Sequence, residues 1–117
     1  MIQVYGIPNC DTVKKALVWL KQNDVAFEFH DFKKEGITAE KLKEWLKVCS
    51  LDKILNNKSV AFKNLSVEEQ LKTAKKSDAV KLMHSNTNLI KRPVLEIAGT
   101  ILNGFHEDEF QKAFGKK

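Results

Sequence analysis

The stretch IQVYGIPNCDTVKKALVWL, residues 2–20, decides the fold of this chain. Residues 2–5 alternate apolar and polar side chains, and the turn formers Gly6 and Pro8 follow, which predicts a strand that runs into a turn. Between Asp11 and Asn23 the apolar residues recur at helical spacing with lysines opposite them, which predicts an amphipathic helix. Cys10 therefore stands at the junction of a strand and a helix.

A second strand is predicted from Val25 to Phe32. Two strands joined by a helix form a βαβ unit, whose strands we expect to be parallel with a right-handed crossover.

A helical insert is predicted at about residues 38–88, after the break at Gly36. Thr38 is the expected N-cap of its first helix, with Ile37 and Leu42 as a hydrophobic staple. The apolar face of that helix comprises Leu42, Trp45, Leu46 and Cys49. Further short helices are predicted at Leu51–Leu55, from the capping box at Ser66 to about Ala74, and at Asp78–His84.

Two strands and a helix are predicted in the last part of the chain. Val94–Ile97 and Thr100–Leu102 flank Ala98-Gly99 as a hairpin, and Glu107–Phe114 closes the chain. The order βαβ, helical insert, ββα is that of a thioredoxin-like α/β fold, with a mixed sheet flanked by helices. We expect residues 1–117 to form a single domain.

The composition excludes several classes of protein. Net charge is +5 over 117 residues, but the lysines form scattered pairs, Lys116-Lys117 among them, and Arg92 is the single arginine, so we expect no nucleic-acid partner. No apolar run approaches the roughly 20 residues of a membrane span, and residues 1–5 do not resemble a signal peptide, so a soluble cytoplasmic protein is expected.

The metal-binding and disulfide classes are excluded by the side chains themselves. Two cysteines without CxxC spacing predict neither a disulfide scaffold nor a zinc site. No metal ligands are expected, and His30, His84 and His106 are interpreted as structural or surface residues. The tryptophans are interpreted as core or rim residues.

Cys10 is the first candidate for chemistry. A thiol at a helix N-terminus faces unpaired backbone N–H groups and the positive end of the helix dipole, which stabilise the thiolate. Lys14 favours the same form and Asp11 opposes it. The alternative is a small buried hydrophobe that precedes a helix. Because Val13 occupies the place of a second cysteine in CxxC, a redox cycle at Cys10 needs an external thiol.

Arg92-Pro93 is the second candidate. If the peptide bond is cis, it marks a turn beside the Cys10 loop, where Arg92 would fix a carboxylate or an oxyanion. The alternative is a proline at the start of a strand, next to a solvent-exposed arginine. For Cys49, core packing is the expected role.

Two long motifs resemble a known family. YGIPNCDTVKKA at residues 5–16 looks like the opening motif of the YffB-like branch of the arsenate reductase (ArsC) and Spx family, and LIKRPVL at residues 89–95 looks like its second motif. ILNNK at residues 54–58 and NGF at residues 103–105 also fit. The resemblance covers essentially the whole chain.

The resemblance implies a thioredoxin-like fold with a helical insertion, a nucleophilic Cys10, an oxyanion-handling Arg92 and a cis Pro93. It also implies a glutathione-dependent thiol reductase. Arsenate reductases proper carry further arginines in the segment aligned with residues 56–58 and near Asn103, which argues against arsenate as the substrate here.

The Spx-type transcription regulators of the same family provide the alternative function, with RNA polymerase as the partner. They usually carry a CxxC switch and a longer C-terminal tail, whereas this chain has Val13 and ends at Lys117. A third hypothesis is a thioredoxin-like scaffold in which Cys10 is unreactive.

The expected mechanism begins with attack by the Cys10 thiolate and ends with release by glutathione or another small thiol. Asn9 and the backbone N–H groups of Asp11 and Thr12 would cradle developing negative charge. Capping and first-turn packing are alternatives for Thr12, and a solvated loop position is the alternative for Lys58.

Lys58 and Arg92 are predicted to converge on the carboxylates of glutathione, with Pro93 at the substrate. We expect a monomer with no bound cofactor and glutathione as co-substrate.

Overall fold

The computed structural model describes residues 1–115, and the pair Lys116-Lys117 lies outside the described residues. It contains a four-stranded mixed sheet in the order β2-β1-β3-β4. The strands are β1 (Ile2–Gly6), β2 (Phe27–Asp31), β3 (Val94–Ile97) and β4 (Thr100–Asn103). β1 is parallel to β2 and antiparallel to β3, which is antiparallel to β4. This order confirms the predicted thioredoxin-like arrangement.

The described residues also form eight helices, of which the first lies within the βαβ half and the last follows the hairpin. They are α1 (Asp11–Gln22), α2 (Phe32–Glu35), α3 (Ala39–Val48), α4 (Leu51–Ile54), α5 (Val60–Lys63), α6 (Val67–Lys72), α7 (Lys76–Ser85) and α8 (Glu107–Phe114), with a 3-10 turn at Thr87–Leu89. None of the helices within residues 1–115 has the length and apolar character needed to cross a membrane.

The chain forms two compact units. The sheet unit contains residues 1–31 and the described residues from 92 onwards, and the helical unit contains residues 32–91. The helical unit includes the whole insert predicted at about residues 38–88.

The core of the sheet unit joins the sheet to α1 and α8. Val4 and Leu95 are partners in the β1–β3 register and are fully buried. Trp19 of α1 meets Phe110 of α8 edge to face, with ring centroids 5.4 Å apart. Trp19 is therefore a core residue, as the helical pattern predicted.

The core of the helical unit lies between α3 and α7. Thr38 caps α3 as predicted, since its hydroxyl accepts a hydrogen bond from the N–H of Lys41. The N–H of Asn56 donates to the carbonyl of Leu89 at 2.7 Å, and the N–H of Lys91 donates to the carbonyl of Ile54 at 2.7 Å. These bonds hold residues 54–56 against residues 89–91 within the helical unit.

Strand β2 is shorter than the Val25–Phe32 segment that the sequence predicts. The N–H of Val25 donates to the carbonyl of Leu20 in α1, and Asp24 before it has a left-handed conformation with φ 57°. Val25 therefore belongs to the turn that follows α1 and lies outside the strand. At the other end, buried Phe32 begins α2 and its carbonyl accepts from the N–H of Gly36. The run of apolar residues therefore continues past the strand into a helical turn.

The predicted helix boundaries need smaller corrections. α4 ends at Ile54, α6 ends at Lys72 and α7 extends from Lys76 to Ser85. Helices α2 and α5 and the 3-10 turn were not predicted, because segments of three or four residues carry too little periodicity. Cys49 lies beyond α3 at its C-cap and is only partly buried, so its place on the buried helical face was wrong.

Candidate active site around Cys10

Cys10 occupies the N-cap of α1. Its backbone is extended, with φ −144° and ψ 124°, and its side chain makes no capping hydrogen bond. The carbonyl of Cys10 accepts the first helical bond from the N–H of Lys14 at 2.9 Å. The thiol is partly exposed, so a reagent in solution can reach it. This placement argues against the alternative of a buried hydrophobe.

The first turn of α1 supplies donors beside the thiol. Because the helical bonds begin at Lys14, the N–H groups of Asp11, Thr12 and Val13 have no carbonyl partner within the helix. Such groups, with the dipole, favour a negative charge at the N-terminus. Asp11 places a carboxylate in the same turn, which opposes this effect.

Gly6 lies where the segment that leads to Cys10 contacts the Arg92-Pro93 segment. Tyr5 lies opposite Val94 in the β1–β3 register, so the next pair along the strands is Gly6 and Pro93. A Cβ added to Gly6 would lie 3.0 Å from Cγ2 of Val13 and 3.8 Å from Cα of Pro93. The start of α1 and the Pro93 segment therefore approach each other at Gly6, where an added Cβ would be crowded by the Val13 side chain.

The Arg92–Pro93 peptide bond is cis, as the resemblance implies. Pro93 is buried and Arg92 is partly buried. The carbonyl of Pro93 accepts a hydrogen bond from the N–H of Gly104 at 2.9 Å, which ties it to the end of β4. Pro93 is thus a fixed part of the sheet unit.

The remaining predicted site residues lie in two places. Asn9 is exposed immediately before Cys10, and Thr12 is partly buried in the first turn of α1. Lys58 belongs to the helical unit, where it is exposed and its N–H donates to Oδ1 of Asn56. The predicted role of Lys58 toward glutathione stays a prediction.

Cys49 differs from Cys10 in its surroundings. Its thiol donates to the carbonyl of Trp45 at 3.1 Å. Burial raises the pKa of the Cys49 thiol above its ordinary value, and the ammonium groups of Lys53 and Lys76 oppose this shift only in part. Cys49 is therefore suited to serve as an internal control for the reactivity of Cys10.

The histidines make contacts within their own units. His30 stacks on Tyr5 with ring centroids 4.5 Å apart. Nδ1 of His84 donates to the carbonyl of Ile37 at 2.7 Å, and His106 occupies the exposed N-cap of α8. Among residues 1–115, His, Cys, Asp and Glu side chains form no group of three that could hold a metal ion.

Gly6 is the residue that sequence reasoning missed. It was interpreted only as part of a turn, although its φ is not in the left-handed region that favours glycine. A single glycine between a strand and a helix also indicates a close approach of two segments, which is the signal that could have found it.

Comparisons with known proteins identify the family of this chain. The model of the ArsC family matches residues 5–113. An uncharacterized protein of Haemophilus influenzae is 40% identical over 115 residues, which cover 97% of this chain and 99% of that protein. The global transcriptional regulator Spx of Lactiplantibacillus plantarum is 25% identical over 119 residues, which cover 100% of this chain and 89% of that protein.

Two solved structures are also similar. A YffB protein superposes with a TM-score of 0.92 at 37% identity, covering 97% of this chain and 99% of that one. An arsenate reductase (ArsC) related protein from Brucella melitensis superposes with a TM-score of 0.76 at 36% identity, covering 97% and 93%. Because the family model matches nearly the whole sequence and relatives above 30% identity align over almost all of it, the chain belongs to the ArsC family.

Proposed function

We propose that this protein is a glutathione-dependent thiol oxidoreductase in which Cys10 is the nucleophile. The observation that carries the proposal is the partly exposed thiol at the N-cap of α1, beside N–H groups that have no helical partner. Its ArsC-family membership supports an activity related to the arsenate reductases.

The reaction proceeds by two thiol–disulfide exchanges. The Cys10 thiolate attacks one sulfur of a substrate disulfide between glutathione and another thiol, the S–S bond breaks, and the departing thiolate takes a proton from water. Cys10 is then linked to glutathione. A second glutathione attacks as its thiolate, which releases glutathione disulfide and restores the Cys10 thiolate. Since Val13 occupies the position of a resolving cysteine, glutathione performs the second step.

The residues around Cys10 stabilise negative charge and orient the substrate. The N–H groups of Asp11 and Thr12 and the amide of Asn9 stabilise negative charge as the S–S bond breaks. Arg92 binds an anionic group of the substrate, and Pro93 borders the bound molecule. The absence of further arginines at residues 56–58 argues for a disulfide substrate over arsenate.

The test uses a peptide that carries one glutathione in mixed disulfide, with free peptide thiol as the measured product. The wild type and Cys49→Ser should both release peptide with glutathione present, and Cys10→Ser should not. Arg92→Ala should raise KM for the substrate more than Arg92→Lys, because lysine keeps the charge without the guanidinium fork. Equal turnover by Cys10→Ser and wild type refutes the proposal.

A second candidate function is transcription regulation through RNA polymerase. It is favoured by the match of the Spx regulator from Lactiplantibacillus plantarum over the whole chain. Capture of purified RNA polymerase by both wild type and Cys10→Ser, without any release of peptide thiol by the wild type, would favour this candidate. No binding to the purified polymerase, with active turnover, favours the oxidoreductase.

A further inference from the structure

A groove in the helical unit runs between α3 and α7 and has a volume of about 310 Å³. Its lining residues are Lys43, Leu46, Lys47, Lys76, Ser77 and Val80. Leu46 and Val80 are almost fully buried and form an apolar floor, while the lysines are exposed at the rim. The groove can therefore hold an apolar side chain between positive charges.

The lining of this groove is basic, while the nearest carboxylates on the same two helices, those of Glu40, Glu44 and Asp78, lie outside the lining. No carboxylate lines the groove. Within residues 1–115, the ion pairs of lysines involve other positions, and Lys43, Lys47 and Lys76 make none. Like charges that surround one cleft repel each other and raise the local concentration of anions. The rim is thus electrostatically complementary to an acidic ligand.

The start of α7 adds to this field. Its N-cap is Lys75, which makes no side-chain capping bond. Ser77 in the first turn lines the groove, so the positive end of the α7 dipole lies at the same place as the lysines, and Asp78 in the same turn opposes part of this field. Lys76 lies close enough to Cys49 to favour its thiolate.

We propose that this groove between α3 and α7 is a docking site for an acidic segment of a partner protein, with an apolar side chain flanked by carboxylates. The apolar side chain lies on Leu46 and Val80, and the carboxylates pair with Lys43, Lys47 and Lys76. This proposal does not depend on the function of Cys10.

The choice of a peptide over a nucleic acid rests on the floor of the groove. A nucleic-acid surface tracks phosphates with a row of basic residues and usually provides arginines or exposed aromatic rings for bases. Here the lining contains neither arginine nor aromatic side chains, and its floor is aliphatic. Aliphatic floors with charged rims are typical of grooves that take amphipathic peptides.

The test selects a random 12-residue peptide library on the full chain. Binders are measured by fluorescence anisotropy, and their site is mapped by NMR on the methyl groups of Leu46 and Val80. The disruptive variant is Lys43→Gln/Lys47→Gln. The matched control is Lys63→Gln/Lys81→Gln, which removes the same charge from exposed lysines outside the groove.

Selected peptides should combine acidic residues with at least one aliphatic residue and should shift the Leu46 and Val80 methyl signals. The disruptive variant should weaken binding by about fivefold to tenfold, as expected for the loss of two rim charge pairs. The control should change affinity by less than about twofold, because it keeps the local charges.

Several results would overturn the proposal. They are equal weakening by the control pair, selection of neutral or basic peptides, the absence of any binder, and methyl shifts elsewhere in the chain. A single-stranded oligonucleotide that bound more tightly than the selected peptides and shifted the same methyl signals would assign the groove to nucleic acid. Self-association of the chain that the disruptive pair abolishes would assign it to a second copy.

Discussion

Replacement of Gly6 by alanine tests the close approach that joins the two halves of the candidate site. The added Cβ would lie 3.0 Å from Cγ2 and 3.6 Å from Cγ1 of Val13. A contact of 3.0 Å is tighter than nearly all real Cβ contacts, so the Val13 side chain or the backbone at position 6 must give by a few tenths of an ångström. Val13 is fully buried at the start of α1 and cannot move toward solvent without disturbing the core.

The magnitude follows from two opposing effects. Overpacking of this kind costs about 1–3 kcal/mol. Alanine also restricts the unfolded chain, which returns about 0.4–1 kcal/mol. Gly6→Ala should therefore lower the free energy of unfolding by about 1–2 kcal/mol.

Val13→Ala provides the second half of a double-mutant cycle. Alone it removes two buried methyl groups and should cost about 2 kcal/mol or more, including the cavity. In that background the nearest remaining atom to the new methyl of Ala at position 6 is Cα of Pro93, at an ordinary 3.8 Å. The second substitution should then be neutral or stabilising, so the two changes couple by about 2 kcal/mol.

Equilibrium unfolding in urea, followed by tryptophan fluorescence, measures the cycle if the slopes of the variants agree. Gly99→Ala is the control, because no atom lies within 4 Å of its Cβ and its φ is +84°. It should destabilise through backbone conformation without coupling to Val13→Ala. Additive effects of Gly6→Ala and Val13→Ala would refute the contact.

Three further predictions concern other parts of the molecule. Lys76→Gln should raise the pKa of Cys49 further, since it removes a charge that favours the thiolate, and should slow iodoacetamide labelling of Cys49 at about pH 8.5; unchanged labelling would contradict this. Phe110→Ala should cost about 3–5 kcal/mol in urea unfolding, because the ring is buried against Trp19 and Phe105, and a cost below about 1 kcal/mol would be inconsistent with that packing. Ser66→Ala should cost about 1 kcal/mol through loss of the capping box, and an unchanged midpoint would show that the box contributes nothing.

The elements with strong local signals could be predicted from sequence. The change from alternation to helical spacing located β1 and α1, and capping residues located the starts of α3 and α6. Ala98-Gly99 predicted the hairpin, where both residues adopt positive φ, 44° and 84°. In each case a few neighbouring residues determine the conformation.

The elements that were missed depend on tertiary contacts. The end of β2 depends on Phe32, whose burial stabilises a helical turn where local propensity favours a strand. Cys49 continues the apolar spacing of α3, but the helix ends before it and leaves the thiol partly exposed.

Cys10 and the cis bond at Pro93 were predicted, whereas the contact at Gly6 was not. Local sequence identified Cys10 at a helix N-terminus, and the family resemblance supplied the cis bond at Pro93. The contact between Gly6 and Pro93 joins residues far apart in the sequence, so periodicity could not reveal it. The same separation hid the lysine groove, since Lys43 and Lys76 come together only when α3 packs on α7.

The most direct test of the central claim is the site of glutathione attachment after the native protein reacts with glutathione disulfide at neutral pH. Intact and peptide mass spectrometry would follow both cysteines, with a urea-unfolded sample as the control in which both can react. We expect one glutathione on Cys10, while Cys49 remains unmodified until the chain unfolds. Attachment to Cys49 at an equal rate, or an unmodified Cys10, would contradict it.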